Sequence, residues 1–413
     1  MRTITWASLA LFTVLLSACT VAPAAPTAAA PPASLKAPAS TQMRPEAATA
    51  TTVPAAEPAL LPPEPPPGGA AREFKTDFSR HTVPYTEILS GGPPKDGIPA
   101  IDSPQFVTVA EANSWLKDVE PVILVQVGAD ARAYPLQILM WHEIVNDTVG
   151  GVPLAVTFCP LCNTAIAFER TLDGRVLDFG TTGRLRFSNL IMYDRQTESW
   201  WQQAEGDAIA GELAGRRLAF YPATIVSWAE FRKAHPDGKV LSRETGYTRD
   251  YGSNPYVGYD DVNQPPFLYQ GPPTPGKLPP MARVLTVDLN GETVAYPYNV
   301  LAEVRVVNDM VGGRPVAVFW AGGVASALDN STIALGREVG AAAAFSPELD
   351  GRRLIFRAEG ERIVDAETGS EWDVLGRAVK GELAGRQLAP IVSVNHFWFS
   401  WAAFKPETRI YQP

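Results

Sequence analysis

The chain has 413 residues and a mass of 44.5 kDa, with 46% hydrophobic and 19% charged residues, which excludes a wholly disordered chain and a multi-span membrane protein. At roughly 100–200 residues per domain there is room for a sizeable core. The 35 Lys and Arg against 44 Asp and Glu give a formal net charge of −9, so no global basic field exists to attract nucleic acid, which is excluded as a partner.

Met1-Arg2 is followed by an almost entirely apolar run from Ile4 to Leu16, ending in Leu16-Ser17-Ala18-Cys19. The run falls short of the about 20 residues that a transmembrane helix needs, and reads as a signal peptide over 1–18. From Cys19 to Arg72 the chain is mostly Ala, Pro and Thr, with 13 of its 38 prolines. That composition cannot offset its ordering entropy by burial, and it predicts a disordered, semi-rigid tether over 19–72. The next segment, 73–245, is read as a first unit with an N-terminal extension. Val122–Val127 and the residues after Gly128-Ala129-Asp130 predict a hairpin. Pro135, Leu136, Leu139, Met140 and Ile144 predict a helix from about Pro135 to Val145, stopped by Asn146-Asp147. Gly150-Gly151 turns the chain into a strand over Val152–Phe158 that leads into Cys159. Further strands are predicted around Arg175–Phe179, Leu185–Tyr193 and Arg217–Phe220, and a closing helix over Ile225–Ala234. A Tyr-rich segment, 246–269, precedes a second unit over 270–413.

The second unit repeats the first. Ala133–Ala165 set against Ala295–Ala327 without a gap gives 14 identities in 33 positions, where chance gives about two. Leu172-Asp173-Gly174-Arg175 answers Leu349-Asp350-Gly351-Arg352, and Gly211–Arg216 answers Gly381–Arg386. Asp194 and Trp201 answer Asp365 and Trp372, which marks them as framework. Hairpins mixed with isolated helices predict an α+β fold made of two tandem copies of one hairpin/helix unit.

Apart from Cys19, the only cysteines are Cys159 and Cys162, in Cys159-Pro160-Leu161-Cys162. Their counterparts are Ala321 and Val324, and His142 answers Val304, so the second copy lacks all three residues. Loss of the three together points to one functional group in the first copy, with the predicted helix and strand bringing His142 back towards the thiols. Three chemistries stay open. Cys159 and Cys162 can cycle between dithiol and disulfide with His142 tuning a thiolate, as a catalytic group of an oxidoreductase. The same three residues can be ligands to a soft metal, copper above all. The pair can also be a structural disulfide in a tethered, non-catalytic binding or scaffold protein. Arg184, Arg186 and Asn189, from an alternating stretch, are candidates for a substrate-binding wall beside the thiols. Redox and metal-delivery partners are left unnamed.

Leu16-Ser17-Ala18-Cys19 resembles the bacterial lipoprotein signal, which implies cleavage before Cys19, its acylation, and a membrane surface as partner. The mature chain is then lipid-anchored in the cell envelope, on the periplasmic or extracellular face. Phe158–Ala165, preceded by Trp141–Asp147, resembles the signature of the bacterial and archaeal family called Domain of Unknown Function 3179. So do Gly91–Asp102 and Arg249–Tyr256. The resemblance covers about residues 80–412 and brings no established activity. Some members of that family are selenoproteins, which implies redox use of a position matching Cys159 or Cys162.

Overall fold

A computed structural model describes residues 59–413. The signal peptide, Cys19 and most of the tether lie outside the described residues. The end of the expected tether belongs to the folded body. The Leu61 amide donates to the His81 carbonyl at 2.8 Å, Pro67 is buried, and a short helix at Ala70–Glu73 buries Ala70. The body thus begins before Arg72, because Glu64 and Glu73 find distant partners that composition does not reveal.

The expected α+β class is overturned. Among the described residues strand accounts for 40% and helix for 12%, and the helices have at most seven residues. The body is built of small, mainly antiparallel sheets, two of which carry one parallel pairing each, Asp130–Pro135 with Lys239–Leu241 and Glu292–Pro297 with Arg409–Ile410, and their strands are rich in β-branched and aromatic residues. In the first half, Pro121–Val127 pairs with Asp130–Pro135 and Ala223–Ser227. A second sheet runs Ala219–Tyr221, Thr164–Glu169, Val152–Cys159, Ile144–Val149. A third contains Phe179–Arg186, Asn189–Asp194, Trp200–Gln202 and Asp207–Ala210, with Ile88–Ser90 at its edge. In the second half, Arg283–Leu289 pairs with Glu292–Pro297 and Ser393–Phe397, Arg314–Ala321 lies between Val306–Val311 and Ala341–Phe345, and Phe356–Glu359 opens a third sheet.

Several local expectations change in the same direction. The helix after Pro135 covers only Leu136–His142, and Asn146-Asp147 do not stop it, since they lie inside the strand Ile144–Val149. Ile144, Val145, Thr148 and Val149 favour a pleated, half-buried surface over another helical turn. Likewise Ala223–Ser227 is strand, and the helix covers Trp228–Ala234, capped by the Ser227 side chain. The segment after Cys162 is the strand Thr164–Glu169.

The halves share their core. The apolar cluster that contains Cys159 and Cys162 also takes in Leu328, Ile333, Val394, Phe397 and Phe399. A second cluster joins Val122, Val226 and Trp228 to Phe319, Phe345 and Trp372. Smaller clusters lie within one half each, but in these two each half buries apolar surface against the other.

Candidate functional site: a buried thiol pair beside a buried carboxyl

The strand Val152–Cys159 and the strand Thr164–Glu169 are joined by a tight turn in which Cys159 pairs with Thr164. Pro160 opens a single 3₁₀ turn over Pro160–Cys162, where its fixed φ is pre-set, and Asn163 closes it in the left-handed region at φ 50°. This turn folds both cysteines inward. Both are free and buried, Cys159 at 2% and Cys162 at 0% exposure. No bridge joins them, so the structural-disulfide expectation is not met in this structure.

The sulfurs face a second tight turn. Phe187 and Ser188, at φ 52° and 65°, form the two-residue link between Phe179–Arg186 and Asn189–Asp194, a conformation that glycine and asparagine usually supply. The turn aims the Ser188 carbonyl at the thiols, and Cys162 Sγ donates to it at 3.4 Å. Asn189, the next residue, directs Nδ2 at Cys162 Sγ, also at 3.4 Å. Its amide is fixed by Gln203 Oε1 at 2.9 Å, by Gln202 Nε2 at 2.5 Å and by the Ala204 amide at 3.0 Å. Asn189 is therefore the one member of the expected binding wall that reaches the sulfurs. Arg184 pairs instead with Glu73 at 2.7 Å, and Arg186 with Glu87 at 2.7 Å while lying over the Phe187 ring. Both arginines clamp the N-terminal extension to the sheet edge.

His142 does not join the thiols. It ends the helix Leu136–His142 fully buried, with Nδ1 donating to the Pro99 carbonyl at 2.8 Å and Nε2 accepting from Tyr251 Oη at 2.6 Å. Both ring nitrogens are committed, and burial lowers the imidazole pKa further than the Pro99 bond restores it. Among the described residues no three His, Cys, Asp or Glu side chains are grouped to hold a metal ion. A copper ion held by Cys159, Cys162 and His142 does not fit this geometry.

The neighbour that composition and spacing did not single out is Glu143. It follows the helix in a left-handed conformation, φ 57°, and its carbonyl accepts from the Phe158 amide at 2.8 Å, which sets it beside the cysteine strand. The residue is 7% exposed and its carboxyl makes no ion pair among the described residues. Burial pushes its pKa up to about 8. Burial likewise raises the Cys159 thiol well above its ordinary value, followed by its hydrogen bond to Cys162 and the nearby Glu143 carboxyl. The second half keeps the backbone but not the chemistry. Arg305, at φ 60°, answers Glu143 and receives the Trp320 amide at 2.8 Å, but its guanidinium lies over the Trp320 ring. The internal alignment held the signal for Glu143, since a carboxyl there faces an arginine.

The Tyr-rich segment closes the site. Tyr256 and Tyr259 pack against the cysteine core, Tyr259 Oη donates to the Leu161 carbonyl at 2.9 Å, and Ser188 Oγ donates to the Phe267 carbonyl at 2.5 Å. Pinning to the body is thus its visible role.

The segments that meet here are those whose sequence resembles one family. Residues 95–408 match the family described as Protein of unknown function (DUF3179). The chain belongs to that family. Neither a search of curated proteins nor one of solved structures returns a match. In this DUF3179 chain the matched range takes in the thiol turn, Glu143, His142 and Asn189, and leaves out the clamp partners Glu73 and Glu87.

Proposed function

We propose that this protein is a thiol–disulfide oxidoreductase, tethered in the cell envelope through an acylated Cys19. The reading rests on one observation: two unbridged cysteines on a single turn, with the buried Glu143 held against the cysteine strand and an amide donor aimed at Cys162. Charge gathering on Cys162 is stabilised by Asn189, so Cys162 is the attacking sulfur. Its thiolate forms a bond to one sulfur of a substrate disulfide, and the other substrate sulfur leaves with the electron pair and takes a proton. Cys159 then gives its proton to ionised Glu143 and attacks Cys162, forming the internal bridge; the second substrate sulfur leaves with the electron pair of the broken bond and takes the proton from Glu143. Two electrons and two protons pass from the protein dithiol to the substrate. A carboxyl with a pKa of about 8 exchanges its proton close to neutral pH, which suits this task. With both sulfurs buried, the substrate is a small disulfide or enters when the Tyr256–Phe267 stretch shifts.

Equilibration with glutathione buffers followed by alkylation and mass measurement tests the chemistry. A potential above about −300 mV is expected. A lower potential, typical of structural bridges, or a pair that never oxidises, overturns the reading. Loss of detergent-phase partitioning in Cys19→Ala tests the tether separately.

A further inference from the structure

Two of the segments that resemble the family, Gly91–Asp102 and Arg249–Tyr256, supply no part of the thiol chemistry beyond the Tyr256 and His142 contacts. They meet at a polar cleft of about 390 Å³ whose walls include Asp96, Pro99, Asp102, Arg195, Tyr247 and Arg249. That volume lies within the range of small-molecule sites, whereas a cavity between the halves measures about 20 Å³ and has room for little more than one water.

The cleft is a built structure. Asp96, at φ 55°, accepts from Tyr193 Oη at 2.5 Å and from Arg195 Nη1 at 3.2 Å. Gly180 permits this, because a Cβ there would stand 2.5 Å from Asp96 Oδ1 and 2.7 Å from the Tyr193 ring. Asp102 pairs with Arg195 Nη2 at 3.1 Å and accepts from Asn146 Nδ2 at 2.7 Å. One guanidinium is therefore shared by two carboxylates, which leaves a surplus negative charge, and Asp102 is the carboxylate more open to solvent, at 49% side-chain exposure. Arg249 is the converse. Its guanidinium donates to the Thr248 carbonyl at 3.0 Å and lies over the Tyr247 ring at 5.8 Å, and it has no carboxylate partner among the described residues. The cleft thus presents one surplus anion and one surplus cation that do not pair with each other.

We propose that this cleft binds a small zwitterion of the free amino-acid class, its carboxylate on the Arg249 fork and its ammonium at Asp102. A lone carboxylate leaves Asp102 unbalanced, a lone amine leaves Arg249 unbalanced, and a phosphate dianion meets two carboxylates. Guanidinium and carboxylate match in fork geometry. Tyr247, 45% exposed, offers an aromatic face at the rim to a ligand side chain. This inference does not depend on the thiol chemistry.

The standard amino acids, tested singly against the reduced chain by saturation-transfer NMR and calorimetry, provide the test. At least one is expected to bind saturably with Kd at or below about 1 mM. Its deaminated and decarboxylated counterparts, and inorganic phosphate, are expected to bind at least about tenfold more weakly. Arg249→Gln should cost at least about tenfold with the melting temperature unchanged, Asp102→Asn, which keeps an acceptor for Asn146 but loses the Arg195 ion pair, should also cost at least about tenfold, and Arg80→Gln, at an exposed position elsewhere, should cost nothing. The proposal is overturned if no amino acid binds saturably, if propionate, ethylamine or phosphate binds as tightly, or if binding survives Arg249→Gln.

Discussion

Glu143 holds its proton in the folded chain up to about pH 8 and releases it near 4.5 once unfolded. Between those values the folded state binds more protons, so this group's contribution to stability falls as pH rises, by up to about 1.4 kcal/mol per pH unit. Glu143→Gln removes the titration. The variant is expected to gain on the wild type steadily from pH 5 to pH 8 in denaturant titrations, and a constant offset would show that the carboxyl is not buried. The same change should slow oxidation of the thiol pair by roughly a hundredfold, the lower range for a lost proton acceptor. Asn189→Ala strips partners from Cys162, Gln202 and Gln203 at once, and a loss of about 2–4 kcal/mol is expected from orphaning those buried groups. At this scale the cysteines were legible because no other pair competes with them, whereas Glu143 and His142 are adjacent and only the backbone decides which one is held against the cysteine strand. Arg184 and Arg186 misled because their partners, Glu73 and Glu87, lie about a hundred residues away in sequence.

Among the elements, the hairpin that carries Asp194 and the one that carries Asp365 are the same device. Asp194 accepts from the Thr197 amide at 2.7 Å and Trp201 Nε1 at 2.9 Å; Asp365 accepts from the Thr368 amide at 2.6 Å and Trp372 Nε1 at 2.9 Å. The framework expectation drawn from their alignment agrees with this geometry. Either Asp→Ala change leaves a buried indole and a turn amide without an acceptor, and each is expected to cost about 2–4 kcal/mol by chemical denaturation. The Tyr-rich segment carries a prediction of another kind. Tyr259→Phe removes the donor to the Leu161 carbonyl and the acceptor for the Phe267 amide, so the cover over the thiols loosens. Alkylation of the native pair by a small reagent should speed up several-fold, and an unchanged rate would mean that substrate enters elsewhere. The helix boundaries were poorly legible because helical spacing through Ile144 and strand propensity from Ile144 onwards overlap, and pairing with Val152–Cys159 settles the contest.

Across the whole molecule the two halves touch at the chemistry itself. His396, fully buried in the second half, places Nδ1 2.9 Å from Thr164 Oγ1, and Thr164 Oγ1 also donates to the Cys162 carbonyl at 3.2 Å. Nothing near it in sequence marks this histidine, since its partner comes from the other half, 232 residues away. Burial lowers its pKa from 6.5 to about 3. Below pH 6.5 the unfolded chain takes up a proton that the folded chain refuses, so stability from this group is lost as pH falls, again by up to about 1.4 kcal/mol per unit. Glu143 acts with the opposite sign, and between about pH 4.5 and 6.5 the two slopes offset each other, which hides both from a wild-type pH profile. His396→Asn keeps a polar partner for Thr164 without titrating in this range. Its deficit relative to the wild type at pH 7 should therefore shrink by about 2 kcal/mol at pH 5. A deficit independent of pH would place the imidazole in water and remove the histidine link between the second half and the thiol turn.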